Sequence, residues 1–428
     1  MSSATTKRSR EIPDPAILAR AAERAKHGAR HEGWLLELTG LPTAAGRETR
    51  VIEWVLGWVK RRRARLAAAV DGAGNLLLHQ GPALRRRGRL PRQRPLLITA
   101  HLDHPAFVVR DVIDRRTLAL EFRGGVHDAY FEGAAIEIFD AADRPRRGVV
   151  VELDPGARPY KRVRARVASG TAGIDRGDVA RWALPDPRIG IGDTGQGRRA
   201  RLLRAHACDD LAAVAAALAL LDRVAGRPGF EHVGVLLTVA EEVGFVGAIA
   251  AARSGGLPRD ARLICLENSR SFPESPIGGG AILRVGDRIS VFSPELTNRL
   301  GVLYQDRTKV DAEFRFQRKL MAGGACEATA FTAYGYESTC LCLPLGNYHN
   351  MVDIDGVLAG TAPARIGPEF IALDDFHGLV EMLFVAASGL DRDSSETAEA
   401  APPLRVRMEA IYAEHSVVIA TFARRSRA

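Results

Sequence analysis

The sequence predicts an α/β protein: a mostly parallel sheet flanked by helices, with a small β domain inserted into it. Three observations carry this. The runs "PLLITAH" (95–101), "VGVLLTVA" (233–240) and "ARLICLE" (261–267) are continuously apolar over the length of a strand, as in a parallel sheet buried on both faces. Helix-period segments alternate with them. Between residues 124 and 193 the texture changes to short alternating runs with no helix among them, which suggests a separate β unit. A chain of 428 residues is too long for one compact core, and 46% hydrophobic with 26% charged residues is a globular composition.

In order along the chain, "ILARAAERAKHGARHEGWLLEL" (17–38) has helical spacing, and a second helix is expected from residue 47 to about 69. A turn and short strand follow in "DGAGNLLLH" (71–79), then the strand ending on His101. Within the inserted unit, "AAIEIF", "RGVVVEL" and "KRVRARVAS" alternate in the manner of half-buried strands. Helical periodicity returns in "DLAAVAAALALLDRV" (210–224), followed by a strand, a helix beginning near Val243 and the strand "ARLICLE". Another helix lies within "SPELTNRLGVLY", a Gly-rich turn leads into "ACEATAFTAYG", and "STCLCLPLG" is again a strand. The amphipathic "PEFIALDDFHGLVEMLFVAA" (368–387) closes the body. Residues 391–403 read as a polar linker to a last helix with apolar Ile411, Val417, Ile419 and Phe422. The expected division is therefore 1–123 and 194–390 for a catalytic body, 124–193 for the insert, and 391–428 for linker and C-terminal helix.

No apolar run approaches the roughly 20 residues that span a bilayer. The polar opening "MSSATTKRSREIPDP" lacks the apolar core of a signal peptide, so a frayed terminus and a cytoplasmic location are expected. Five cysteines without a CxxC pair read as buried apolar residues of a reducing compartment. The formal charge of +9 and pI near 9.6 raise the question of nucleic acid. The arginines, however, are spread along the chain, and the runs "KRRRAR" (60–65) and "RRRGRLPRQR" (85–94) carry no interleaved aromatics. A solvated surface is expected, with neither nucleic acid nor membrane as partner.

Ligand sites of parallel sheets lie beyond the carboxyl ends of the strands. Three strands here end on potential metal ligands: His101, the adjacent Glu241 and Glu242, and Glu267. Asp209 and Asp210 precede a helix, and His349 lies in the loop after "TCLCLPL". Histidine with carboxylates and no thiolate suits zinc, cobalt or manganese. Asp103, two residues past His101, is spaced to take the second imidazole N–H. Singly, these groups have structural readings: acids before a helix serve as N-cap and first-turn charges, and an HxD pair is common. Convergence at strand ends of one sheet favours a site. Two adjacent carboxylates against an apolar background also need a cation between them. There is no HExxH, since "HEGWL" lacks the second histidine, no GxSxG, and no P-loop at Gly278 to Gly280.

In chain order, "AHLDHPAFVV", "ACDDLAAVAA", "AEEVGFVGA", "LEN", "IGGGAILRVGD", "GGACEATAF" and "PLGNYHN" resemble the signatures of the dinuclear zinc exopeptidases. The closest branch is the glutamyl and deblocking aminopeptidases that assemble into tetrahedral TET particles. The resemblance runs from about residue 34 to 390, insert included. It implies that Asp209 bridges two divalent ions about 3.5–4 Å apart, zinc first and cobalt or manganese as alternatives. Glu242 and His349 would complete one ion's site, and His101 and Glu267 the other's. Glu241 would be the general base and Asp103 would orient His101. A peptide substrate and a homo-oligomer built through the insert are implied with it. Departures from the family pattern are Glu267 where aspartate is usual, His104 and Pro105 within "HLDHPA", "GNY" before the last histidine, and the displaced acid Glu327. Because N-acyl amino acid deacylases of this fold also use glutamate at the position of Glu267, deacylase or carboxypeptidase-type activity is the alternative, and a non-catalytic binding relative a further one.

Overall fold

Two helices, α1 (Pro15–Leu38) and α2 (Thr49–Lys60), open the computed structural model, which describes residues 15–80, 93–195, 197–391 and 404–415. A hairpin of β1 (Leu66–Val70) and β2 (Leu76–Gln80) follows, so the helix expected to reach residue 69 ends at Lys60. Alanine favours helix, but "LAAAV" pairs along its whole length with β2, and sheet pairing overrides that local preference. Of the "KRRRAR" run, Arg62 is structural: its guanidinium lies 4.0 Å from the Trp58 ring centre and 4.9 Å from that of Trp34, and it pairs with Asp222 at 3.2 Å. Most of the run at 85–94, the N-terminal "MSSATTKRSREIPD", nearly all of the linker, and Val417, Ile419 and Phe422 lie outside the described residues.

After β3 (Leu96–His101), the strands β4 (Ala106–Val112), β5 (Thr117–Arg123), β6 (Ala135–Phe139), β7 (Pro145–Asp154), β8 (Lys161–Val167) and β9 (Val179–Trp182) close into an antiparallel barrel. Its order is β4-β5-β8-β7-β6-β9. Alternation sorts its side chains: in β8, Val163, Ala165 and Val167 point inward while Arg162, Arg164 and Arg166 face out. A small barrel is filled by its own side chains, here Phe107, Phe122, Phe131 and Trp182, with ring centres between 4.7 and 6.1 Å apart. The barrel begins earlier than the texture change at 124, because "AFVVRDV" and "TLALEFR" pair with barrel strands rather than with the main sheet. It also ends earlier. β10 (Arg188–Asp193) pairs instead with β11 (Arg199–Ala205).

From β11 the chain alternates: α3 (Leu211–Val224), β12 (Val233–Thr238), α4 (Val246–Ser254), β13 (Arg262–Arg270), β14 (Ala281–Asp287), α5 (Pro294–Val310), β15 (Phe316–Met321), α6 (Glu327–Ala333) and β16 (Glu337–Leu345). Short β17 (Met351–Val352), α7 (Ile354–Leu358) and β18 (Arg365–Ile366) lead to β19 (Glu369–Ala372), α8 (Leu373–Gly389) and the exposed α9 (Leu404–His415). The start of the amphipathic segment at 368 is thus a strand, which pairs with β11 before α8 begins.

The main sheet has eight strands in the order β1-β2-β12-β3-β13-β16-β14-β15. Its centre, β12-β3-β13-β16, is parallel, while β1, β2 and the β16–β14 contact are antiparallel. The mixed α/β architecture with a mostly parallel sheet is therefore the predicted one. Every residue of β3 and β12 is buried, as a two-sided sheet requires. Helix α3, almost all alanine and leucine, is buried nearly all round and packs on β3, β12 and β13. Its small side chains allow that close approach. Among the described residues no helix is long and apolar enough to cross a membrane.

Candidate metal centre

The parallel register sets the site. Thr238 pairs with His101 and Cys265 with Thr99, so the ends of β12, β3 and β13 stand level and their last side chains meet at one edge. His101 Nε2 lies 3.3 Å from Asp209 Oδ1, 3.8 Å from Glu267 Oε1 and 3.9 Å from Glu241 Oε2. His349 Nε2 lies 3.4 Å from both Asp209 Oδ2 and Glu242 Oε1. One Asp209 oxygen thus faces each histidine. Five of these residues, Asp209, Glu241, Glu242, Glu267 and His349, line a cavity of about 740 Å³, and His101 is buried beside them.

The two histidines are held alike. His101 Nδ1 lies 3.1 Å from the Asp103 main-chain oxygen, and His349 Nδ1 lies 2.5 Å from that of Gly125 at the barrel's rim. A ring nitrogen facing a carbonyl carries the proton, which leaves both Nε2 lone pairs aimed at the carboxylates. Asp209 Oδ1 and Glu242 Oε1, buried among these groups, meet no hydrogen-bond donor in good geometry. Orphaned carboxylate oxygens beside unprotonated imidazole nitrogens are a donor set for divalent cations. Burial works against charge on Glu241 and Glu242, and neighbouring carboxylates add to it: Glu241 is pushed well up and Glu242 to about 8. Cations would reverse that cost.

Asp103 stands against His101 and also serves a second purpose. Its carboxylate is 3.5 Å from His101 Nδ1, and its two oxygens accept the main-chain N–H groups of Glu241 and Glu242, each at 3.0 Å. The imidazole N–H goes to the Asp103 carbonyl instead. Asp210 occupies the N-cap position of α3 without capping it. Its carboxylate accepts from His101 N at 3.1 Å and Asn268 Nδ2 at 2.9 Å, bracing β3 against β13.

Several buried groups around the site have no signature in the sequence. Glu369 accepts the N–H groups of Asp209 at 3.0 Å and His349 at 2.8 Å. His104 Nδ1 meets the Asp209 carbonyl and Nε2 lies 3.1 Å from Asn350 Oδ1; burial, then the charge of His349, lowers it to about 4, so it stays neutral. Glu48, buried at the start of α2, is pushed up to about 7 by burial and by Asp103. Pattern reading could have flagged only His104, as the odd residue in "HLDHPA".

A second large cavity, about 720 Å³ between α1 and α8, is lined by arginines already paired, such as Arg223 and Arg307 with Glu381. Another possible ligand cluster, His27, His31 and Asp222, has its carboxylate occupied by Arg30 and Arg62. Among the described residues, the strand-end site is the one whose donors are free for a metal.

A model of the M42 glutamyl aminopeptidase family matches residues 84–361. The chain belongs to this family. It is a metal-dependent aminopeptidase, a peptide-bond hydrolase. A search of the curated proteins gives no match. Among solved structures, the M42 chain is similar to a TET aminopeptidase from a marine-sediment thaumarchaeon, at 17% identity and a TM-score of 0.65 over 86% of this chain and 99% of that one. An aminopeptidase of Desulfurococcus kamchatkensis gives 18% and 0.63 over 88% and 99%. The TET1 peptidase of Pyrococcus horikoshii, described as assembling into a tetrahedron or a large octahedral shell, gives 19% and 0.63 over 84% and 99%. Likeness at these identities establishes the fold.

Proposed function

We propose that the strand-end site holds two divalent ions, zinc first, and removes amino-terminal residues from peptides. Asp209 would be shared between them, with His349 and Glu242 holding one ion and His101 and Glu267 the other. The observation that carries this is the pair of histidines, each with Nδ1 on a carbonyl and Nε2 on a different oxygen of Asp209. When bound, such ions activate a water and polarise the scissile carbonyl. Glu241 stands beside the ligands at the cavity wall, where it takes the proton of the attacking water and returns it to the leaving amine.

Substrate preference is read from Arg284. It is 2% exposed and lines the cavity beside Glu267, and its one side-chain partner is Ser269 Oγ at 3.1 Å. Among the described residues no carboxylate pairs with it within 4.0 Å, and its Nε has no acceptor. A buried guanidinium without an anion is costly. An acidic side chain at the substrate's amino terminus would supply that anion, and Arg288 and Arg270 line the same cavity. The barrel, with exposed Val149 and Val151 on its outer face, is the surface through which copies of the chain assemble. Five buried free cysteines fit a cytoplasmic enzyme.

The test is hydrolysis of free aminoacyl amides beside their N-acetyl counterparts, with zinc, cobalt or manganese added. Cleavage of the free-amine set, led by the glutamyl and aspartyl members, is expected. Cleavage of the acetylated set alone would move the protein to the deacylases.

A further inference from the structure

The turn between β12 and α4 carries the adjacent glutamates, and its backbone is held in an unusual way. Four successive main-chain N–H groups each donate to a buried side chain from elsewhere in the fold. Val239 N donates to Asn75 Oδ1 at 3.1 Å, Ala240 N to Glu48 Oε1 at 2.9 Å, and Glu241 and Glu242 N to the two oxygens of Asp103 at 3.0 Å each. Ala240 has φ of 53°, in the left-handed region that a non-glycine residue enters at a cost of about 1 kcal/mol or more. That conformation makes the chain turn sharply just before Glu241, so Glu241 and Glu242 leave the backbone in different directions.

We infer that Glu48 is a positioning residue for Glu241: by accepting the Ala240 N–H it fixes the left-handed turn that separates the base from its metal-binding neighbour. The inference rests on the reading of Glu241 as base. Glu48 is 4% exposed and stands at the start of α2, far from Glu241 in sequence. It touches none of the proposed ligands. Its Oε1 also accepts Gly46 N at 2.8 Å, so one oxygen ties the loop before α2 to the turn after β12. Asp103 alone cannot fix the turn, because it holds the residues after Ala240 and not Ala240 itself. Without Glu48 the peptide before Glu241 is free to relax to negative φ, which swings the base while His101, Asp209 and His349 stay braced by Asp210 and Glu369 and the Glu242 N–H stays on Asp103.

Both N–H groups meet the same oxygen of Glu48, which makes the role separable from charge. Glutamine keeps an acceptor oxygen at that position; alanine removes it. The experiment compares Glu48→Ala, Glu48→Gln and Glu241→Gln for kcat, KM, bound metal per chain and thermal melting, on the best substrate of the aminoacyl amide panel. A base displaced by about 1 Å costs on the order of 100-fold. Glu48→Ala is expected to lose about ten- to a hundredfold in kcat with KM and metal content near wild type, and Glu48→Gln to restore most of it. Wild-type kcat in Glu48→Ala, equal losses in both Glu48 variants, or loss of metal or fold in Glu48→Ala would each overturn the assignment. Failure of the parent reading looks different: Glu241→Gln itself would then turn over.

Discussion

Glu369 Oε1 accepts the main-chain N–H of His349 at 2.8 Å, while its other oxygen takes that of Asp209. A single buried carboxylate therefore joins the loops after β11 and β16. His349 and its neighbours Asn347 and Asn350 all have positive φ, so that loop is strained and needs such a tie. Glu369→Gln places an NH2 against one of the two donors. It is expected to weaken metal binding by about 10- to 100-fold, read from cobalt titration by visible absorption. Unchanged affinity would show the tie to be dispensable.

Removing the proposed base and removing a proposed ligand should separate cleanly. Glu241→Gln is expected to lower kcat by about 100-fold or more while metal content by elemental analysis stays at the wild-type level. His349→Ala should lower the metal content itself. Retained turnover in the glutamine variant would reject Glu241 as base.

The buried guanidinium of Arg284 predicts how specificity responds. Arg284→Met keeps length and apolar bulk but removes the charge, so kcat/KM for glutamyl and aspartyl substrates should fall by roughly 10- to 100-fold relative to alanyl ones, the worth of a charge-assisted hydrogen bond. An equal fall for all substrates would make Arg284 part of the scaffold.

Away from the site, Asp222 gives a pH signature. Burial opposes its charge, but the hydrogen bond from His31 and the charges of Arg30 and Arg62 outweigh that and hold it at about 2, below its ordinary 3.8. A carboxylate lowered on folding stabilises above the unfolded value and loses that contribution as pH falls through the folded one. The gap in Tm between wild type and Asp222→Asn, both with chelator, should be constant above about pH 5 and shrink from pH 4 towards pH 2. A gap that widens on acidification would contradict the assignment.

For assembly, Val149→Asp with Val151→Asp charges the outer face of the barrel without touching its filled interior. Sedimentation is expected to shift from a large particle to smaller species at unchanged Tm. A particle of the same size would exclude this face.

What was legible in the sequence is what chemistry marks. Strands β3, β12 and β13 announced themselves as unbroken apolar runs, and because a parallel sheet aligns its strand ends, His101, Glu241, Glu242 and Glu267 could be grouped without knowing the fold in detail. His349 and Asp209 stood out only as a loop histidine and an acid before a helix, and their roles as ligands came with the resemblance. Glu369 and Glu48 were invisible because their partners are main-chain groups, which every residue has, so no pairing of letters betrays them. The HxD spacing does set Asp103 beside the His101 ring, but nothing in it tells that the same carboxylate also holds the Glu241 and Glu242 backbone. The barrel's first two strands were missed because "AFVVRDV" reads equally well as part of either unit.

The barrel's position between β3 and β11 also bears on how the enzyme is born. A nascent chain exposes His101 first, and Asp210, which braces it, follows 109 residues later. Closing so long a loop costs little more than closing one half its length, roughly 0.6 kcal/mol per doubling. The barrel shortens even that span, since its hydrogen bonds are made among strands lying entirely between Ala106 and Trp182. It can knit itself together while the rest is still being made and hand over two nearby ends. On the proposed ligand set, the last donor to emerge is His349, so the ions are captured only when most of the polypeptide has been translated.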